Sequence, residues 1–254
     1  MSDTPPRCLS DASFWAPKFI MPSAWLEHAP FAFWLTQAAS PRVIAELGTH
    51  NGYSYLSFCQ AVARLELPTR CYAIDTWEGD AHAGFYGNDI FARLEKINAD
   101  HYPAFSKLIR SRFDQAAAAF PPGSIDLLHI DGRHGYEDVL EDFTMWLPKL
   151  SAQAVVLMHD TRVRERDFGV WRLWEELASR FPSFEFPHGH GLGVLSVGRE
   201  PPAAVRPLFA RDPATDAAIR AAYARLGAAI THQAAAVSAQ ALVAQLRAEL
   251  AAKG

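Results

Sequence analysis

Apolar positions along this chain fall into two recurring patterns. Short, nearly continuous apolar runs at Val43–Leu47, 71–74, 107–110, 124–130 and 154–158 read as buried strands. Between them, apolar residues spaced three and four apart predict helices over Tyr53–Arg64, 89–101, 115–120, 136–150 and 168–180. Runs at 184–186 and 193–197 flank the turn HGHGLG and predict a closing hairpin. Strand and helix in strict alternation predict an α/β fold, a parallel sheet covered by helices on both faces. Ligands of such sheets bind beyond the carboxyl ends of the strands, where the strand order switches direction.

The ends of the chain follow other rules. Residues 1–22, with their prolines and serines, read as an arm. A helix is expected over 23–39, anchored by Trp25, Phe31, Phe33, Trp34 and Leu35, broken or kinked at Pro30 and stopped at Ser40-Pro41. From 213 to 252 the chain holds 17 alanines in 40 positions and no proline after Pro213, which predicts one long helix. Ile219, Tyr223, Leu226, Ile230 and Val237 form a stripe at spacings of 4, 3, 4 and 7, continued less regularly by Leu242, Leu246 and Leu250. The stripe suits a seat on its own domain, a homo-oligomer seam or a spacer to another module. The expected division is therefore 1–39 arm and helix, 40–200 ligand-binding domain, 201–254 helical extension.

Composition narrows the class. The 254 residues are half hydrophobic and a fifth charged, with a formal charge of −4, so the chain is globular and lacks the basic excess of a nucleic-acid binder. No run of 18 apolar residues occurs, so no membrane span is expected. The N-terminus carries no basic-then-apolar leader, and the expected compartment is the cytoplasm. Cys8, Cys59 and Cys71 show no CxxC spacing; Cys59 and Cys71, in apolar surroundings, read as core thiols.

Chemistry-bearing residues gather at predicted strand ends. The first strand runs into Glu46, Gly48, Thr49, Asn51, Gly52 and Ser54, a glycine turn opening a helix. Glycines there let a ligand approach the backbone, and the helix start offers free N–H groups. The spacing is ExGxxxG, neither the dinucleotide fingerprint nor a phosphate loop, and it suits a nucleoside with an amino-acid tail. Asp75 ends the second strand 27 residues after Gly48, where an acid accepts both ribose hydroxyls. Thr76 and Trp77 follow it in a polar, aromatic loop that also holds Glu78, Asp80, His82, Phe85 and Tyr86 and suits sugar recognition. Phe113 follows the third strand.

Asp131 and Asp160 each follow an apolar strand, with His134 and His159 beside them. Such a set can hold a divalent cation through Asp131, His159 and Asp160. Alternatively His159 or His134 serves as a general base near neutral pH, oriented by an aspartate. Behind them, Arg162, Arg164 and Arg166 suit either an acceptor phosphate or a solvated face paired with Glu165 and Asp167. His188 and His190 sit in the glycine turn, where they are expected to be exposed.

The run His129-Ile130-Asp131-Gly132-Arg133-His134-Gly135-Tyr136-Glu137, continuing through Asp142, Trp146 and Leu147-Pro148-Lys149-Leu150 to His159-Asp160-Thr161, resembles the class I S-adenosylmethionine-dependent methyltransferases. The resemblance is to their small-molecule O-methyltransferase-like branch and covers about residues 40–200. It implies a Rossmann-like seven-stranded, mostly parallel sheet with an antiparallel last strand. It also implies S-adenosylmethionine as cofactor, bound by Glu46, Gly48, Thr49, Asn51, Gly52, Ser54, Asp75, Thr76, Trp77, Phe113 and Asp131. His159, His134 and Asp131 would be catalytic, and Mg²⁺ or Mn²⁺ would sit on Asp131, His159 and Asp160. The implied activity is O-methylation of a small polar acceptor, a sugar or glycan unit. Some members of the branch are fused to glycosyltransferases, which makes such an enzyme an expected associate. The alternatives are a non-catalytic module that keeps the fold for binding or assembly, and a nicotinamide dehydrogenase.

Overall fold

The computed structural model describes residues 8–80, 84–210 and 212–251. Two single-turn helices, Asp11–Phe14 and Leu26–His28, precede α1 (Ala29–Ala39). Then follow β1 (Val43–Leu47), α2 (Tyr53–Arg64), β2 (Arg70–Asp75) and a two-residue ribbon of β3 (Gly79–Asp80) and β4 (Gly84–Phe85). Next come α3 (Asn88–His101), β5 (Ser106–Arg110), α4 (Phe113–Ala116), β6 (Ile125–Ile130) and α5 (Tyr136–Trp146). The chain ends with β7 (Leu150–His159), α6 (Val170–Ala178), β8 (Ser183–Phe186), β9 (Leu192–Ser196) and α7 (Pro213–Ala251).

The large sheet has the order β5-β2-β1-β6-β7-β9-β8. Every neighbouring pair is parallel except the two made by β9, which runs antiparallel to β7 and β8. The sheet is thus seven-stranded with its last strand reversed, as the resemblance implied. The central strands are buried on both faces, which is why they read as unbroken apolar runs. The chain leaves β1 toward β2 and β5 on one side and returns through β6 and β7 on the other. The switch point therefore lies beyond Leu47 and Ile130.

Two apolar layers flank the sheet. One is built on α1, α2 and α7, with Trp25, Phe31, Phe58 and Tyr223; the other on α5 and α6, with Phe143, Trp146, Leu173 and Trp174. Local departures from the expected elements have local causes. Pro30 sits in the first turn of α1, where its missing N–H costs nothing, so the helix starts at Ala29 and not at residue 23. Pro148 ends α5 at Trp146 and turns the next residues into a single tight turn. Residues 8–14, expected as an arm, are packed: Cys8 and Ala12 are buried, and the Tyr223 hydroxyl donates to the Cys8 carbonyl at 2.8 Å and meets Ser13 Oγ at 3.1 Å. All three cysteines are buried free thiols.

The stripe on α7 divides in two. Ile219, Tyr223 and Ile230 are buried in the first layer, and Gly227 crosses the Glu27 backbone so closely that a Cβ would lie 2.4 Å from its carbonyl oxygen. Beyond that crossing Val237, Leu242, Val243 and Leu246 are about half exposed. No helix among the described residues is long and apolar enough to cross a membrane. Truncation after Gln233 is therefore expected to leave the melting temperature within about 2 °C. Truncation after Ala210 removes three buried side chains of the core and is expected to cost several kcal/mol. Thermal unfolding of both chains followed by circular dichroism checks this.

Candidate active site

Gly48 leaves β1 with φ of +84°, and a Cβ on it would lie 2.1 Å from the Asp131 carbonyl oxygen and 2.8 Å from Gly132 Cα. The glycine is required because the turns after β1 and β6 touch through their backbones. A larger residue would collide with that chain before it reached any ligand. Gly52, at φ +88°, opens α2 against Leu94 of α3.

The Asp75 carboxylate holds this turn in place. Oδ2 accepts the N–H groups of Thr49 and His50 at 2.8 and 2.9 Å, and Oδ1 accepts that of Trp77 at 2.8 Å. One side chain thus fixes the turns after β1 and β2 together, and lone pairs remain on both oxygens. Trp77 is buried, with Nε1 donating to the His50 carbonyl at 3.1 Å and its ring against Phe91. It is a strut under the loop, where an exposed binding face was expected.

Above these turns lies a cavity of about 490 Å³. Of the expected cofactor residues, Gly48, Asp75, Thr76, Phe113 and Asp131 line it, together with His134. Glu46, Thr49, Asn51, Gly52, Ser54 and Trp77 are not among its lining residues. Glu46 is fully buried beneath it, Oε2 at 2.8 Å from His129 Nδ1; burial pushes its carboxyl up, and His129 opposes that. Asn51 donates to the Pro22 carbonyl and accepts from Arg93, tying the turn to the N-terminal segment and α3. Around the mouth, His50 stacks on Tyr86 at 4.8 Å and Phe85 is exposed. The Asp80 side chain and His82, the second expected pair, lie outside the described residues.

At the ends of β6 and β7, two carboxylates and two imidazoles converge. Asp160 takes φ of +61°, a conformation aspartate tolerates, and this turns its carboxylate back toward Asp131. His134 Nε2 lies 3.0 Å from Asp160 Oδ2, and its ring stacks on Phe168. His159 Nδ1 lies 3.2 Å from Asp131 Oδ1 and 3.4 Å from Asp160 Oδ1. Its Nε2 faces the Gly189 carbonyl at 3.0 Å. Both ring nitrogens of His159 therefore face acceptors, and both must carry hydrogen.

Burial alone would strip that proton, but Asp131 and Asp160 more than reverse the effect and hold His159 well above the usual imidazole range. His134 is likewise opposed by burial and raised by the two aspartates, to about 9. Burial pushes Asp131 and Asp160 up, and the imidazoliums override it and hold both carboxyls low. The cluster is two ion pairs with no net charge. An imidazole poised near neutrality, expected from the sequence, is not what the geometry provides. Nor does His159 belong to the best cation set: one donor atom each of Asp131, His134 and Asp160 lie within 4.8 Å of one another, while His159 is committed at both nitrogens.

No pattern or spacing in the sequence pointed to His28 or the Gly189 carbonyl. His28, fully buried, has Nε2 2.9 Å from the same Gly189 oxygen that faces His159. Burial, then His159 and His188, push it well below the usual range, so it is neutral and donates through Nε2. His188, expected to be exposed, packs on His28 and Phe186 and is lowered by burial; His190 is exposed and places Nδ1 3.4 Å from Asp160 Oδ1. Arg162 and Arg164 pair with Glu185 and Glu175 rather than with Glu165 and Asp167, and Arg166 lies over the Phe168 ring.

Residues 45–161, from β1 to the end of β7, match the family model described as a methyltransferase domain. The fold is shared with TomG, an O-methyltransferase of Streptomyces achromogenes solved with S-adenosylmethionine, at TM-score 0.51 and 20% identity, over 72% of this chain and 83% of that one. It is also shared with a Staphylococcus aureus protein described as a candidate caffeoyl-CoA O-methyltransferase, at TM-score 0.52 and 15% identity, over 69% and 84%. Residues 45–161 are thus similar to a methyltransferase domain, and the sheet that holds them has the fold of these two proteins. Over 193 residues, 76% of its length, the chain is 54% identical to y4gI, an uncharacterised protein of Sinorhizobium fredii, and it spans 21% of that protein's length. The methyltransferase match takes in Gly48, Asp75, Asp131 and Asp160, whereas His28 and Gly189 lie outside it.

Two outcomes follow from this geometry. Asp75→Ala orphans three N–H groups, two of them shared by one oxygen; it is expected to lower stability by about 2–5 kcal/mol and to weaken S-adenosylhomocysteine binding at least tenfold. Chemical denaturation and calorimetry on the same variant measure both. The His134 ion pair contributes stability fully present below about pH 6.5, the unfolded value, and lost as the pH rises through about 9. In chelator, the melting temperature of the wild type should fall across that window, and His134→Gln should flatten the fall.

Proposed function

We propose that this chain is an S-adenosylmethionine-dependent O-methyltransferase acting on a hydroxyl of a small polar acceptor, a sugar or glycan unit. The observation that carries the proposal is one cavity, with Gly48 and Asp75 on one wall and Asp131 and His134 on the next, Asp160 standing behind them 3.0 Å from His134. Its volume falls within the range of small-molecule sites. Acids outnumber bases in its lining: Asp75, Glu78, Asp114, Asp138, Glu141 and Asp142 face it beside Asp131, whose charge the two imidazoles balance, while Arg112 and Arg133 are paired with Asp114 and Asp138. Such a wall favours a sulfonium cation and repels a pyrophosphate, which argues against the dehydrogenase reading.

In this reading Asp75 uses its remaining lone pairs for the ribose hydroxyls and Phe113 offers its face to the adenine. Asp131 stands beside Gly48, where the amino-acid tail would reach the loop. Phe85, Tyr86 and Glu78, at the mouth, suit the apolar faces and hydroxyls of a sugar. The donor set of Asp131, His134 and Asp160 fits a divalent ion of the Mn²⁺ type, with two hard oxygens and one imidazole. Such an ion would supply a lowered pKa for the acceptor hydroxyl. With no ion bound, both imidazoles keep their protons through neutral pH, and neither accepts the acceptor's proton. His159 then acts by position, holding Asp131 and Asp160 together from beneath. The half-exposed stripe Val237–Leu242–Leu246 suits self-association or contact with a glycosyltransferase.

The test is methyl transfer from labelled S-adenosylmethionine to a panel of glycosides, sugar nucleotides and simple phenols. Chelator is expected to abolish turnover, and Mn²⁺ or Mg²⁺ to restore it. Asp131→Asn and Asp160→Asn should each lose at least a hundredfold of the rate. Activity indifferent to chelator and to both variants would remove the cluster from the reaction. Failure of the folded chain to bind S-adenosylhomocysteine would favour the scaffold alternative.

A further inference from the structure

Nothing local accounts for the imidazole of His28. It stands at the cap position before α1, yet its side chain makes no capping bond to the helix. It is fully buried beside Trp25 and His188, at ring distances of 5.4 and 5.0 Å. An apolar side chain would suit that burial, and a serine or aspartate would suit the cap. Among the described residues its Nδ1 has no hydrogen-bond partner, and the ring's polar contact is made by Nε2 with the Gly189 carbonyl at 2.9 Å. Burial, then His159 and His188, keep the ring neutral, so it stands 5.6 Å from the His159 ring without adding a charge.

That one bond is prepared on every side. A Cβ on Gly189 would lie 2.8 Å from His28 Nε2, so only glycine lets the ring reach the carbonyl. The same oxygen faces His159 Nε2 at 3.0 Å, and a carbonyl has lone pairs for two donors. At the other edge of the His159 ring, Nδ1 meets Asp131 and Asp160. His28 is backed in turn by α7, which crosses the Glu27 backbone at Gly227 and donates from the Thr231 hydroxyl to Glu27 Oε1 at 3.3 Å.

We infer that His28 is a positioning residue of the polar centre: it pins the Gly189 carbonyl, the carbonyl fixes the His159 ring, and the ring sets the spacing of Asp131 and Asp160. The inference rests on the proposed reading of Asp131, His134 and Asp160 as a divalent-ion site. Without His28 the carbonyl keeps one donor, so no buried acceptor is orphaned, but it follows His159 instead of holding it. The two carboxylates then lose their fixed separation, and an ion that needs both is held less tightly. Cofactor binding, carried in the same reading by the cavity around Gly48 and Asp75, does not depend on this bond.

The experiment measures Mn²⁺ and S-adenosylhomocysteine binding by calorimetry, and the melting temperature, on the full chain and two variants. His28→Leu is apolar and of similar volume; His28→Gln keeps an uncharged N–H donor. His28→Leu should weaken Mn²⁺ binding by about tenfold, with the melting temperature and the S-adenosylhomocysteine affinity no lower than in wild type. His28→Gln should recover most of the lost Mn²⁺ affinity. A His28→Leu chain that binds Mn²⁺ as tightly as wild type overturns the inference, and so does a His28→Gln chain no better than His28→Leu. Loss of melting temperature and of both affinities together in His28→Leu makes His28 a packing residue, which also overturns it. Wild type that binds S-adenosylhomocysteine but no Mn²⁺ overturns the inference and removes the ion from the proposed function. Wild type that binds neither sinks the cofactor reading itself.

Discussion

The backbone contact between Gly48 and the Asp131–Gly132 turn is the constraint on which the rest of this site depends. β1 and β6 are neighbours in the sheet, and the Asp131 N–H donates to the Leu47 carbonyl at 2.8 Å, which continues the ladder past the last paired residues. The two turns therefore leave the sheet side by side. With no side chain at position 48 they touch, and the cavity opens above the contact. Asp75, from the strand on the other side of β1, then ties the glycine turn down through backbone N–H groups. Cavity floor and polar centre are in this way consequences of one strand order and one missing Cβ.

The polar centre is balanced within itself but oriented from outside. Two carboxylates at adjacent strand ends would repel each other, and two imidazoliums neutralise them at distances of 3.0 to 3.4 Å. Such buried ion pairs are stable only when their remaining hydrogen-bonding capacity is met. For His159 that need is met by Gly189, from the turn before β9, and the same carbonyl faces His28 from the turn before α1. Both partners lie outside residues 45–161, the segment that matches the methyltransferase family model. The flanking pieces therefore help to set the protonation of its centre, and the buried half of α7, crossing at Gly227, presses the His28 turn into place.

What could be read from the sequence followed the range of each interaction. Val43–Leu47 and Tyr53–Arg64 stand where the pattern put them, because burial on both faces and a 3.6-residue period are written locally. Boundaries moved where proline acted, at Pro30 and Pro148. Gly48, Asp75, Asp131 and Asp160 were legible as strand-end residues, since a parallel sheet brings all such ends to one side. The protonation of His134 and His159 was not, because it depends on carboxylates and a carbonyl up to 30 residues away whose distances no spacing encodes. The packing of residues 8–14 was hidden for the same reason: the Cys8 carbonyl meets Tyr223 across 215 residues of chain. Glu46 and Trp77 sit in the right turns but face inward, and the side of a turn a residue takes is decided by what packs behind it.

Charge and fold together narrow the ligand further than either does alone. A doubly wound sheet with a glycine turn serves many nucleoside cofactors, and the fold by itself does not choose among them. The acid-rich lining does. A diphosphate would place its negative charge on the glycine turn, with Asp75 beside it and both arginines of the lining already paired with Asp114 and Asp138. A sulfonium with a zwitterionic tail meets the opposite situation, because its cation lies among carboxylates. Burial, with Glu141 and Asp138 nearby, raises the Asp142 carboxyl of the same lining to about 7. In the proposed reading, the acids of the lining are what suit the site to a cationic cofactor rather than to a diphosphate.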